Sequence, residues 1–80
     1  MNLVEFTEFL VKKLAKEPDL IKVKDFETEE GLIIEVLVSE VDMGNIIGKN
    51  GRIVNSIKTL VQAKAYNEGI HNVKVNIDSF

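Results

Sequence analysis

The sequence predicts one α+β domain in which three helices pack on one face of a three-stranded sheet. Its 80 residues suit a single small domain, and 45% hydrophobic with 29% charged residues is an ordinary globular balance. Apolar residues recur at helical spacing in some segments and alternate or run nearly unbroken in others. Turn-forming residues separate these segments, which gives the order α-β-β-α-α-β over residues 1–80.

The first half of the chain predicts a helix followed by two paired strands. The helix runs from Leu3 to Lys16, and Pro18 stops it. One face of this helix is apolar and carries Leu3, Phe6, Leu10 and Leu14. Residues 20–27 alternate as a strand with one wet face, and a short turn joins them to a second strand over 32–38. The second strand is almost wholly apolar, so we expect a central strand, covered on both faces or by helices on its main face.

The second half predicts two helices and a third strand. Asp42 is predicted to cap a short helix that ends at Ile47. After an interruption, a long helix runs from Arg52 to Tyr66, and Tyr66 is expected at the edge of the core. The apolar face of this helix carries Ile53, Ile57, Leu60 and Val61. A final strand over 71–77 turns alternate residues inward, namely Val73, Val75 and Ile77.

The composition argues against several classes of protein. The chain has no cysteine, which excludes disulfides and thiolate metal sites, and its only histidine, His71, has no clustered carboxylates nearby. Ser39 and Ser56 have no histidine base in a recognisable motif, so we expect no enzyme activity, no metal and no cofactor. The longest apolar runs span three residues, and the N-terminus is acidic where a signal peptide would be basic. We therefore expect a cytoplasmic protein with no membrane contact.

The two halves of the chain differ in charge. The net charge is −3, but residues 1–43 contain five lysines and eleven acidic residues, which is −6. Residues 44–80 contain five basic and two acidic residues, which is +3. This asymmetry indicates that one face meets an anion, although five basic residues also suit an ordinary solvated surface.

The segment between the last two helices carries most of the chemical information. Gly48 and Gly51 lie three positions apart, permit positive φ and allow a ligand to approach the backbone. The next helix directs its N-terminal amides towards this segment, and Lys49 and Arg52 add positive charge, which together suit a phosphate. Asn50 tolerates the tight turn. The spacing fits neither a P-loop nor a dinucleotide fingerprint, and on its own it also fits a helix corner whose glycines serve only the backbone.

The sequence over residues 41–60, VDMGNIIGKNGRIVNSIKTL, resembles the signature of K-homology (KH) domains. The element order is similar to the type II arrangement of that fold, and the length resembles small bacterial KH proteins of the KhpA family. The resemblance implies one type II KH domain over 1–80, whose GXXG loop clamps about four nucleotides of single-stranded RNA. The two helices that flank the loop would form one wall of an RNA-binding groove, and the strand containing Val73 and Val75 would form the other wall. The residues expected to contact RNA are Ile47, Gly48, Lys49, Asn50, Gly51, Arg52 and Ser56, with Lys58 peripheral.

The acidic first half of the chain predicts weak, salt-sensitive binding of RNA. The resemblance implies a homodimer, or a heterodimer with a KH protein of the KhpB (Jag) type, and an RNA-chaperone role in post-transcriptional regulation. Two alternatives stay open. One is a dimerisation scaffold whose partner binds the RNA. The other is a helix-turn-helix DNA binder that reads bases through Arg52, Asn55 and Ser56.

Overall fold

Three strands form one sheet in the order β1-β2-β3 in the computed structural model, which describes residues 1–80. The strands are β1 (Lys22–Thr28), β2 (Gly31–Val38) and β3 (Val73–Ser79). β1 and β2 pair as an antiparallel hairpin, whereas β3 pairs with β2 in parallel. A parallel pair needs a long crossover, and the chain between β2 and β3 supplies it with helices. β2 is the central strand, as predicted, and β3 is an edge.

The helices are α1 (Leu3–Leu14), α2 (Glu40–Ile47) and α3 (Arg52–Asn67). The element order α-β-β-α-α-β is the predicted one. The boundaries of three elements move by two residues. The third strand runs over Val73–Ser79 where 71–77 was predicted, and α1 ends at Leu14 while β1 begins only at Lys22. The chain between them forms a 3₁₀ turn over Pro18–Leu20, which uses proline at its first position. None of the helices combines the length and the apolar character needed to cross a lipid bilayer.

The helices cover only one face of the sheet. Alternate residues of β2 are fully buried beneath them, namely Ile34, Val36 and Val38. The residues between these, Ile33, Glu35 and Leu37, are half-buried on the opposite face. The second alternative for the central strand, helices on its main face, is therefore the correct one. The core continues into the helices through Leu3, Val11, Ile46, Ile57, Val61 and Ala65.

The prediction that Asp42 caps α2 is wrong. Ser39 occupies the N-cap position, and Asp42 is the third residue of the helix, in its first turn, with its side chain buried. Its carboxylate accepts the backbone N–H groups of Lys16 at 2.7 Å and Glu17 at 2.9 Å, and the side-chain amide of Asn45 at 3.2 Å. Asp42 thus joins α2 to the segment that follows α1.

The buried carboxylate of Asp42 is stabilised in its charged form. The hydrogen bond from the Lys16 amide is the largest cause that lowers the pKa of Asp42 below its ordinary value of 3.8, and burial opposes it. The bonds from Glu17 and Asn45 lower the pKa further. The Ser39 hydroxyl, which is buried without a hydrogen bond of good geometry, adds the smallest contribution.

Three large side chains that were predicted to face the core or its edge are exposed. Leu14 retains 43% of its accessible surface, Leu60 49% and Tyr66 66%. All three lie on helices in which the face that is buried in the core is narrower than the face that carries apolar residues. Their exposure marks two surfaces outside the core, one between α1 and α3 and one at the C-terminal end of α3.

Candidate nucleic-acid interface

A four-residue loop with an unusual backbone joins α2 to α3. The φ angle is positive at Gly48 (76°), Asn50 (58°) and Gly51 (73°), and Lys49–Gly51 form one 3₁₀ turn. Positive φ is accessible to glycine and tolerated by asparagine, which explains these residue types at these positions. The sequence therefore encodes a sharp reversal between the two helices.

The two glycines of the loop have different roles. Gly48 has φ 76° and ψ 176°, a region that only glycine occupies readily, and a Cβ there would lie 2.6 Å from Cγ1 of Ile53. A Cβ at Gly51 would meet only ordinary contacts, the nearest being Asn55 Nδ2 at 3.7 Å. Packing against Ile53 thus requires glycine at position 48, as the helix-corner interpretation predicts. At Gly51, by contrast, the space around the Cα is not filled by neighbouring atoms.

The loop presents positive charge to solvent. Lys49, Asn50 and Arg52 are exposed, and the two salt bridges of the molecule involve other residues, Lys12 with Glu8 and Lys64 with Glu68. Gly51 is the N-cap of α3, so no side chain caps the first amides of that helix. These amides and the positive end of the helix dipole lie beside the two charged side chains. Ile47 is half-buried just before the loop.

The remaining predicted contacts, Ser56 and Lys58, lie on opposite sides of α3. Two helical positions differ by about 200°, so their side chains diverge. Ser56 lines a groove beside α1, where its hydroxyl donates to the carbonyl oxygen of Arg52 at 3.0 Å. Lys58 shares the other side with Gln62, whose Nε2 lies 3.5 Å from the carbonyl oxygen of Val73 on β3. The predicted contacts on α3 are therefore divided between two sides of the helix, and Lys58, not Ser56, faces the edge strand.

Sequence reasoning missed the polar residues on the β3-facing side of α3. Asn55, Gln62 and Tyr66 follow Gly51 at helical spacing, and all three are exposed. The signal was present as a polar periodicity that begins at the glycine loop. It was obscured because Arg52, Ser56 and Thr59 form an equally regular polar strip, which begins beside the loop at Arg52 and continues on another side of α3.

Comparison with known proteins identifies the family. The sequence model of the family described as "KhpA/KhpB, KH domain" matches residues 4–77 of this chain. RNA-binding protein KhpA of Clostridium perfringens is 40% identical over 74 residues, which cover 92% of this chain and 95% of that protein. RNA-binding protein KhpA of Borreliella burgdorferi is 44% identical over 64 residues, 80% of this chain and 78% of that protein.

Two solved structures share the fold. A variant of Aquifex aeolicus Era bound to GDP and AlF4⁻ superposes with a TM-score of 0.72 at 24% identity, over 98% of this chain and 30% of that one. Era in complex with MgGDPNP and a fragment of 16S ribosomal RNA gives a TM-score of 0.70 at 22% identity, again over 98% of this chain and 30% of that one. By the family model and the relatives together, the chain belongs to the KhpA/KhpB family of KH domains.

Proposed function

We propose that this chain is a non-catalytic RNA-binding protein, one KH domain over residues 1–80, that holds about four nucleotides of single-stranded RNA at the loop Gly48–Gly51. The exposed, uncompensated charge of Lys49 and Arg52 beside the uncapped N-terminus of α3 carries this proposal. Relatives at 40% and 44% identity are named RNA-binding proteins, which supports it.

The loop would bind the sugar-phosphate backbone, and the neighbouring helix and strand would meet the bases. Phosphate oxygens accept N–H groups at the start of α3 and pair with Lys49 and Arg52. The bases then lie between the side of α3 that carries Lys58 and the free edge of β3, with Ile47 as an apolar contact. The backbone groups of that edge have no partner strand, so they are free to bond base edges.

Charge limits the affinity of a single domain. Residues 1–43 carry a net charge of −6, which repels RNA that runs beyond the groove. About three basic side chains, Lys49, Arg52 and Lys58, contact phosphates, so the logarithm of affinity falls with that of salt concentration with a slope of about −2. We expect dissociation constants of roughly micromolar or weaker.

Reversal of the loop charge tests the site. The double substitution Lys49→Asp with Asn50→Asp is expected to abolish binding of fluorescently labelled single-stranded RNA, because anionic side chains then occupy the phosphate position. The melting temperature is expected to stay within about 2 °C of the unchanged protein, since both side chains are exposed. Fluorescence anisotropy and thermal unfolding measure the two effects.

A matched control separates local charge from net charge. Asn2→Asp with Lys22→Asp changes the formal charge by the same amount on α1 and β1, and aspartate preserves the helix cap at residue 2. This control should weaken RNA binding less than threefold. Full RNA affinity in the loop variant would refute the proposed site, and preferential binding of duplex DNA would favour the helix-turn-helix alternative.

A surface beside α1 supports self-association as part of this function. A groove of about 390 Å³ between α1 and α3 is mostly apolar. Its walls include Leu10, Leu14, Ile53, Ile57 and Leu60, and it is also lined by Lys13, Arg52 and Ser56. Leucine side chains exposed to solvent in one patch are typical of a protein interface. A second KH chain, either a copy of this one or a KhpB-type partner, would cover them. Two linked RNA grooves raise the effective concentration of each site without new contacts.

A charge in the apolar groove tests this association. Leu60→Asp is expected to weaken self-association at least tenfold, because an aspartate would be desolvated between the two copies. Leu20→Asp is the control, since Leu20 is equally exposed, at 47%, but lies in the 3₁₀ turn before β1. Sedimentation velocity measures both. A wild-type chain that stays monomeric at all concentrations, or an unaffected Leu60→Asp variant, would contradict the assignment of this groove.

A further inference from the structure

A second cavity lies at the opposite end of α3 from the glycine loop. It measures about 500 Å³, is open to solvent, and is bounded by the β1–β2 turn, the last turns of α3, the segment before β3 and the first residues of β2 and β3. Its lining includes Glu30, Gln62, Tyr66, His71 and Lys74. The walls are mixed polar and apolar, unlike the groove beside α1, so the two surfaces suit different partners.

Tyr66 gives this cavity an aromatic surface. The Tyr66 ring is 66% exposed, and its centroid lies 5.0 Å from that of His71 with an interplanar angle of 74°. This edge-to-face contact orients the two rings while leaving most of the tyrosine accessible to solvent. An exposed, oriented aromatic ring beside a cavity is a suitable stacking surface for a planar base.

A continuous stripe on α3 connects the loop to the cavity. Gly51, Asn55, Gln62 and Tyr66 are separated by four, seven and four residues, which keeps them on one side of the helix. Asn55 lies beside Gly51, and Gln62 contacts the Val73 carbonyl at the start of β3. This is the same β3-facing side that carries Lys58, so a strand held at the loop passes along it towards Tyr66.

The length of the stripe determines how many nucleotides of RNA are needed to span it. Fifteen residues separate Gly51 from Tyr66, which is about 22 Å along a helix. A stacked strand rises about 3.4 Å per nucleotide, so about six nucleotides reach from the loop to the cavity. A four-nucleotide RNA bound at the loop would therefore leave Tyr66 free.

We propose that this cavity binds a nucleobase of the same RNA strand, stacked on Tyr66, and so extends the recognised segment beyond the nucleotides at the loop. This proposal rests on the proposed RNA-binding function of the loop. Glu30 and Lys74 both line the cavity, so its charges balance and it favours an uncharged base over a phosphate. Lys74, which lines the same cavity, pairs with the phosphate that follows the base.

The chain contains one tyrosine and no tryptophan, so its intrinsic fluorescence reports on Tyr66 alone. The single-stranded RNAs r(AC)₂ and r(AC)₅, of four and ten nucleotides, are the probes. Both are expected to shift the loop amide resonances in NMR spectra, whereas only r(AC)₅ quenches the tyrosine fluorescence. Tyr66→Ala should weaken r(AC)₅ binding about 5- to 150-fold, as expected for a lost stack, and leave r(AC)₂ binding unchanged. Tyr66→Phe keeps the ring and should retain the affinity for r(AC)₅.

The outcomes separate this proposal from the one on which it rests. Loop amide shifts with r(AC)₅ but unquenched Tyr66, or full r(AC)₅ affinity in Tyr66→Ala, would overturn the base-binding cavity and leave the loop site intact. The loop variant Lys49→Asp with Asn50→Asp should lose both RNAs. Absence of any loop response to either RNA in the unchanged protein would overturn both proposals.

Discussion

Replacing Gly48 with alanine is expected to lower the free energy of unfolding by about 3 kcal/mol or more. The backbone at Gly48 adopts φ 76° and ψ 176°, and forcing another residue type into that region costs about 1–3 kcal/mol. The new Cβ would also lie 2.6 Å from Ile53, and such overpacking adds about 1–3 kcal/mol. A domain of this size has a total stability of roughly 4–12 kcal/mol, so this loss removes about a quarter or more of it.

Gly44 provides the matched control on the preceding helix. A Cβ at Gly44 would have no atom within 4 Å, so Gly44→Ala is expected to stabilise α2 by up to about 1 kcal/mol. Urea denaturation of both variants measures the difference. A double-mutant cycle with Ile53→Ala should recover only part of the steric penalty of Gly48→Ala, because the Cβ of residue 53, 2.9 Å from the new methyl group, remains, and it should recover none of the backbone part. Equal stability of the Gly44 and Gly48 variants would show that the loop does not have this conformation.

Removal of the Asp42 carboxylate is expected to lower the melting temperature by about 5–10 °C at neutral pH. The carboxylate accepts two backbone N–H groups, from Lys16 and Glu17, and alanine would leave both without an acceptor. Asp42→Asn is the conservative comparison, because its oxygen still accepts one N–H while its amino group opposes the other. It should lie between Asp42→Ala and the unchanged protein in thermal unfolding.

The contribution of Asp42 also predicts a dependence on pH. Because the folded-state pKa of Asp42 lies below the ordinary value of 3.8, its stabilisation is fully present at higher pH and is lost as pH falls through the lowered value. The difference in melting temperature between the unchanged protein and Asp42→Asn should therefore be constant from about pH 5 to 7 and shrink below 3.8. A difference that grows on acidification would contradict the assigned role.

The element order and the loop could be predicted because their signals are local. Helical spacing from Leu3 onwards, β-branched residues in 32–38 and two glycines around Lys49 each act within a few positions of the chain. The positive φ angles at Gly48 and Gly51 are ones that glycine permits, as the predicted turn requires. The edge position of β3 also agrees with the predicted groove wall.

Long-range features could not be predicted in the same way. The partners of Asp42 lie 25 and 26 residues away, so a local capping pattern was the only available interpretation of that residue. Periodicity also cannot tell whether an apolar side chain such as Leu60 faces the core or an open groove. The position of Tyr66 was equally undetermined, because an aromatic residue at the end of a helix can lie either in the core or on the surface.

The free edge of β3 has a consequence for the protein when no ligand occupies it. An unpaired strand edge can add a strand from another molecule, which is the first step of β-aggregation. Lys74 and Asp78 place opposite charges along this edge, and a foreign strand would have to match both of them. The open hydrogen-bonding row that the proposed RNA site would use is therefore also an edge at which these charges oppose aggregation.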